Sequence, residues 1–280
     1  MWIISFWVFP LISACMWIAL LITMLCVWAG DGKPVYPSME KGQTIAYISD
    51  VGAYGLKPFF ITASVITVVF LDLAFLSERW LRHSGQLVPN KGLWDKLCAI
   101  ASIIFAIAGA AGLILLSIFD TYRHPHMHDG FLVLFIGGYI ISAILICAEY
   151  LRLGLSYRRQ HRVLLASFII KVTFAIIEIA LAIAFGICTK SKDKSKKNTG
   201  AILEWVIAFV FTGYVLSFVV DLLPAVRTRT HVPQGEKHAS MMTTPRDSGD
   251  LPPHAHASLE EPLTTDSMGP NAGYYRGQRV

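Results

Sequence analysis

The chain has 280 residues, of which 54% are hydrophobic and only 15% charged; a soluble chain of this size would be about a quarter charged. Mean hydropathy is +0.54, which excludes an ordinary water-soluble domain. The formal net charge of +5 is modest and forms no basic stripe of the kind that tracks a phosphate backbone, so no nucleic-acid partner is expected.

Six hydrophobic stretches follow one another along the chain, at about 2–29, 58–77, 97–119, 130–150, 163–187 and 201–223. About 20 apolar residues at 1.5 Å rise cross a hydrocarbon core of about 30 Å. A spanning segment must satisfy its own backbone, so it is a helix or part of a closed barrel. Barrel strands are about 10 residues long and alternate in polarity; these runs are longer and do not alternate. The first stretch has no Lys or Arg before Lys33 and is longer than the apolar core of a signal peptide, so it reads as a retained membrane helix. Four of the five cysteines lie inside the stretches and Cys188 at the end of one; an odd count without loop pairs is no disulfide framework. From about Pro224 the chain turns to Pro, Ser, Thr, His and Gly, a composition that cannot bury enough surface to offset chain entropy. The expected fold class is therefore all-α: a polytopic bundle of six transmembrane helices over 1–225, with a disordered cytosolic tail over 226–280.

Polar residues inside the spans are costly and turn toward the bundle interior. With the N-terminus cytosolic, Asp72 and Lys171 lie about 10–12 Å deep from the inner side and form the natural intramembrane ion pair. Glu178 shares a face with Lys171 but lies about 10 Å from it along the axis, too far to pair. A second set gathers at the outer end: Ser49 and Asp50 before the second stretch, Asp120 after the third, His124, His126, His128 and Asp129 before the fourth, and Glu204 beside Trp205 opening the sixth. Such a cluster suits contact with a lipid headgroup or an interlocked loop cap. Alternating histidines in a short turn are a weak metal signature, so neither metal nor cofactor is expected. There is no nucleophile elbow, Gly-rich phosphate loop or paired-Cys motif, so no catalytic residue is assigned. On the inner side Arg152, Arg158, Arg159 and Arg162 form a basic loop suited to anionic lipid or an acidic partner. Small-residue spacings at Ala106/Ala110, Ala108/Gly112 and Gly138/Ser142 permit close helix approach, within one bundle or across a dimer face. Trp80 and Trp94 at one interface, and Trp28 and Trp205 at the other, read as aromatic anchors.

Charge counting does not settle orientation. With the N-terminus inside, ten Lys and Arg fall on the inner side and nine on the outer, five of the nine in the run from Lys190 to Lys197.

Short motifs break the tie. Ile48-Ser49-Asp50-Val51-Gly52 before the second stretch, His128-Asp129-Gly130 opening the fourth, Glu149-Tyr150 closing it, Glu204-Trp205 opening the sixth, and 217–222 near its end resemble, in order and placement, the Frag/DRAM/Sfk family of six-span membrane proteins. The details, including the appended tail, look most like the fungal Sfk branch, although the tail itself carries no family signal. The resemblance covers about 1–225. It implies cytosolic N- and C-termini, no known cofactor and no established reaction. Sfk-like members act at the plasma membrane with a phosphatidylinositol 4-kinase complex and affect lipid asymmetry. Other branches modulate autophagy at the lysosome or vacuole, or remodel GPI-anchor lipids in the endoplasmic reticulum and Golgi. The expected function is thus a non-enzymatic regulator of lipid homeostasis at the plasma membrane. Its partners would be membrane lipids and a phosphatidylinositol 4-kinase assembly. The alternative is a lipid-remodelling factor acting through the outer Asp/His cluster, or an autophagy modulator.

Overall fold

A computed structural model describes residues 5–85, 87, 92–156, 162–191 and 193–223, with the side chains of 156, 162–164 and 194 left aside. The chain divides into two units, Met1–Pro233 and Gln234–Val280; everything from 224 onward, and with it the expected disordered tail, lies outside the described residues.

The described residues form seven helices: α1 (Val8–Gly30), α2 (Ile48–Gly52), α3 (Lys57–His83), α4 (Leu93–Ile118), α5 (Pro125–Ser156), α6 (Arg162–Lys190) and α7 (Lys194–Leu222). All but α2 are long and apolar enough to cross a membrane, and they coincide with the six hydrophobic stretches of the sequence. Pro58 and Pro125 sit in the first turns of α3 and α5, where a missing amide hydrogen costs nothing. α2 is the addition: a five-residue helix in the connection between the first two spans. That connection lies at one end of the bundle, called the cap end here; the other is the far end.

The spans form a closed ring. α1 packs on α3, α3 on α4, α4 on α5, α5 on α6, α6 on α7, and α7 returns to α1. Side-chain hydrogen bonds to main-chain carbonyls pin the seams. The Ser13 hydroxyl donates to Thr67 O at 2.7 Å, Trp17 Nε1 to Ala208 O at 2.9 Å and the Ser142 hydroxyl to Ser102 O at 2.8 Å. Each joins neighbouring helices where no water competes.

The α4–α5 seam is the closest. A Cβ added at Gly112 would lie 2.5 Å from the Phe135 main-chain nitrogen, and one at Gly138 would lie 2.7 Å from that of Gly109. Backbone touches backbone there, and Ala106 and Ala110 are buried beside them. The small residues thus pack inside one bundle. The next helix around the ring, α6, is mostly lipid-facing, with Ile169, Ile176, Ile183 and Ile187 exposed.

The tryptophans divide. Trp80 and Trp94 are exposed at the far end, as interfacial anchors are. Trp28 and Trp205 are buried instead, and Trp205 Nε1 donates to Ala46 O at 3.0 Å. Their indoles hold the cap together rather than the membrane surface.

Candidate functional site

At the far end the polar residues pair with one another. Lys171 and Asp221 form a buried ion pair between α6 and α7, with the Ser217 hydroxyl 3.2 Å from Lys171 Nζ and the Ser167 hydroxyl donating to Asp221. The Lys171 ammonium also stands 3.9 Å from the centroid of Phe218, an attraction strengthened by the dry surroundings. Beside it, Glu78 accepts from Arg82 at 2.8 Å and from the Tyr150 hydroxyl at 2.7 Å, while Arg79 pairs with Glu149. Tyr150 joins the two groups, since both the Arg82 guanidinium and the Lys171 ammonium lie about 5 Å from its ring.

This corrects the expected Asp72–Lys171 pair. Lys171 is taken by Asp221, and Asp72 Oδ1 is buried with no hydrogen-bond partner. Counting depth by residue number overlooked the length of a lysine side chain, which carries its charge along the helix toward the membrane boundary. Arg152 pairs with Asp95 at 3.0 Å across the α4 and α5 termini. Arg158 and Arg159, and the side chain of Arg162, lie outside the described residues, so the inner basic loop stays an expectation.

At the cap end the acids are committed mainly to the main chain. Asp50 Oδ2 accepts from the Tyr47 amide at 3.0 Å and Oδ1 from the Ser38 hydroxyl at 2.6 Å. Burial pushes its carboxyl above the ordinary range, against the opposing pull of those two donors and of nearby His128. Glu204 Oε2 accepts the Ile48 amide at 2.7 Å, so α7 carries one end of α2. Asn198 Oδ1 accepts from the amides of Thr44 and Ile45 at 2.9 and 3.1 Å. Lys197 ties the same corner together, bonding Glu40 at 2.7 Å and Thr189 O at 2.6 Å.

Asp120 belongs to a separate group. It pairs with Lys57 at 2.5 Å and accepts the Arg123 amide at 2.7 Å. Burial raises its carboxyl, but the Lys57 hydrogen bond and charge and the Arg123 amide outweigh that and hold it below the usual range. His128 is buried, with Nδ1 3.1 Å from Leu116 O and 3.0 Å from Phe119 O. That nitrogen therefore carries the proton and caps carbonyls left free at the end of α4. His124, His126 and Asp129 are exposed, and no metal-binding group of His, Cys, Asp or Glu occurs among the described residues. The residues expected to form one outer cluster are thus resolved into several interlocks. Ser49 and Glu204 alone of that set line a cavity.

This cavity is the feature that sequence reasoning missed. Its volume is about 100 Å³, within a larger recess continuous with the surroundings, and it is walled by α5, α6 and α7 with contributions from α1, α2, α3 and α4. Its lining is apolar, with Trp17, Phe135, Phe185 and Phe211 prominent. The exceptions are Ser49 and Glu204 toward the cap end, and Tyr139, Glu178 and Tyr214 deeper in the bundle. Long apolar walls with a few polar groups suit a lipid chain. Periodicity could not show it, because an apolar side chain facing a cavity reads the same as one facing a packed neighbour.

A family model described as "Frag1/DRAM/Sfk1/Cwh43P N-terminal domain" matches residues 5–225. Protein sfk1 of Schizosaccharomyces pombe is 33% identical over 225 residues, covering 80% of this chain and 66% of that protein. Protein SFK1 of Saccharomyces cerevisiae is 28% identical over 269 residues, covering 73% of this chain and 75% of that protein. The chain thus spans about two thirds of the length of the fission-yeast relative. No solved structure matches. The motif residues Asp50, His128, Glu149, Tyr150, Glu204 and Asp221 stand at the interlocks of this six-span ring, and the chain belongs to the Frag1/DRAM/Sfk1 family.

Proposed function

We propose that this protein is a non-catalytic regulator of membrane lipid, which holds a lipid in the cavity between α5, α6 and α7. The observation that carries the reading is the cavity: apolar along its walls, with a carboxyl and a hydroxyl toward the cap end. The commitment of Asp50, His128 and Glu204 to main-chain amides and carbonyls favours binding over acid–base chemistry, and so favours a regulator over a lipid-remodelling enzyme. In this reading the cap end faces outward, both termini are cytosolic and the protein works at the plasma membrane. The far end, with the basic stretch around Arg152 and the tail, would tune a phosphatidylinositol 4-kinase assembly. The family resemblance supports that last step. The rigid far-end network of Glu78, Arg82, Glu149 and Tyr150 gives it a fixed platform.

Filling the cavity tests the reading. Ala143→Phe and Ala175→Phe place a ring where each wall is now a methyl group. Both variants should insert and melt like the wild type in mild detergent, yet co-purify less lipid and complement a strain lacking the native gene poorly. Full complementation by folded, lipid-depleted variants would sink the proposal. Glycosylation acceptors placed on extended linkers near Lys41 and near Tyr157 should be modified at the first site only; the reverse would invert the orientation.

A further inference from the structure

The deep part of the cavity carries an unmet demand for hydrogen bonds. Three side chains that line it, Tyr139 on α5, Glu178 on α6 and Tyr214 on α7, each have a buried oxygen with no hydrogen-bond partner. Both tyrosines are almost fully buried, at 6% and 4% exposure. Glu178 lies nine residues from the cap-side end of its apolar run at Ile187, or about 13 Å into the membrane. That is near the middle of the hydrocarbon core, where no water supplies the missing bonds. The cation nearest on its own helix, Lys171, is already taken by Asp221.

The ionisable groups of the lining are all acids or phenols, with no base among them. Two carboxyls, Glu178 and Glu204, line the cavity, and among the described residues no Lys, Arg or His does. A phosphate would find no cation to neutralise it, whereas an ammonium or hydroxyl group would find an acceptor in Glu178 and two phenols that can accept or donate. The rest of the wall offers only aliphatic and aromatic surface, which suits a hydrocarbon chain.

We propose that the cavity takes a long-chain base: a single-chain amphiphile whose head bears an amine and hydroxyls and no phosphate. The amine is received at Glu178 between Tyr139 and Tyr214, and the chain runs along the apolar wall. This rests on the reading that the cavity holds a lipid, and it names which one. An occupied site keeps the amine near mid-membrane, away from either surface. The protein would therefore withdraw such a lipid from the interface.

The full-length protein, reconstituted in phosphatidylcholine vesicles, is irradiated with a photoactivatable, clickable sphingosine, and adducts are mapped by peptide mass spectrometry. Parallel reactions use photoactivatable lysophosphatidic acid, which has one chain and a phosphate, and photoactivatable phosphatidylcholine. The base should label α5, α6 and α7 peptides, with competition from unlabelled sphinganine but not from lysophosphatidic acid. Glu178→Gln should lower that labelling about tenfold, as loss of a charge-assisted hydrogen bond does. Tyr139→Phe and Tyr214→Phe, which keep the packing, should each lower it less, and the melting curves report whether every variant is folded. Equal labelling by the base and lysophosphatidic acid, or labelling indifferent to Glu178→Gln and to both Tyr→Phe changes, overturns the long-chain-base assignment while leaving a lipid in the cavity. Absence of cavity labelling by any of the three probes overturns the lipid-holding function itself.

Discussion

The α4–α5 seam and the α6–α7 seam solve the same problem in opposite ways. Between α4 and α5 side chains are removed: Gly109, Gly112 and Gly138 bring the backbones into contact, and dispersion does the rest. Between α6 and α7 side chains are added: Lys171 and Asp221 meet in a dry interior, with Ser167 and Ser217 completing their hydrogen bonds. The first seam depends on shape and the second on charge. The cavity opens between them, where α5 faces α6 and α7 through large apolar side chains and neither device is used. A ring of helices can thus be held firmly at two seams and leave space in a third region without losing its closure.

The charged seam should be the more fragile. Lys171→Met leaves Asp221 buried without its cation, and Asp221→Leu does the converse. Breaking such a pair costs about 3–5 kcal/mol, whereas replacing both partners with apolar residues can be near neutral. Each single variant should therefore lose most of its folded protein in mild detergent, and the double variant should regain it. Asp72→Asn, by contrast, should change little, since Asp72 holds no ion pair among the described residues. A double variant no better than the singles would show that the α6–α7 seam is not held by this charge.

The packed seam should come next. A leucine at Gly112 would drive its Cβ into the Phe135 backbone, which cannot move away as a side-chain tip can. Overpacking of this kind costs about 1–3 kcal/mol, and a rigid neighbour puts it at the upper end. The control is Ala143→Leu on the cavity side of α5, where the added carbons have room; it should cost less than about 1 kcal/mol. Thermal melting of the two variants side by side measures the contrast between the α4–α5 seam and the cavity wall. Equal losses would mean that the cavity wall is as tightly packed as the seam.

The six spans were legible because a bilayer permits few alternatives, and each long helix falls on one hydrophobic stretch, with ends that differ by up to about seven residues. Packing was legible only in kind. The small residues announced a close contact, but which helix they touch depends on how the ring closes. The polar pairs were harder. Asp221 lies near the end of the last hydrophobic stretch, where it looks like a boundary residue, and only the antiparallel fit of α6 to α7 reveals it as the partner of Lys171. Glu78, Arg79 and Arg82 sit just where the second stretch gives way to polar sequence and read as loop, whereas α3 continues to His83 and buries Glu78 and Arg82. The acids and histidines of the expected outer set stand at the cap end. Their division into separate interlocks depends on main-chain donors and acceptors that no side-chain motif displays.

The smallest effect separates two carboxyls of the cap end by its sign. Asp120 is held below its ordinary range by Lys57 and the Arg123 amide, so its stabilisation is present above the unfolded value, near pH 4, and is lost as pH falls through the lower folded value. Asp50 is raised by burial, so the folded state binds its proton more tightly than the unfolded chain does. Its contribution runs the other way: stability declines as pH rises from about 4 to the folded value, then stays level. Asp120→Asn should therefore flatten the part of the stability profile that climbs with pH, and Asp50→Asn the part that declines. Both profiles come from melting temperatures in detergent between pH 3 and 8. Asp50→Asn also weakens the bonds to Tyr47 and Ser38 that shape α2, so the slope rather than the absolute melting temperature carries the test. Slopes changed in the same direction by both substitutions would show that the two acids share one environment, and the cap would then be a single cluster after all.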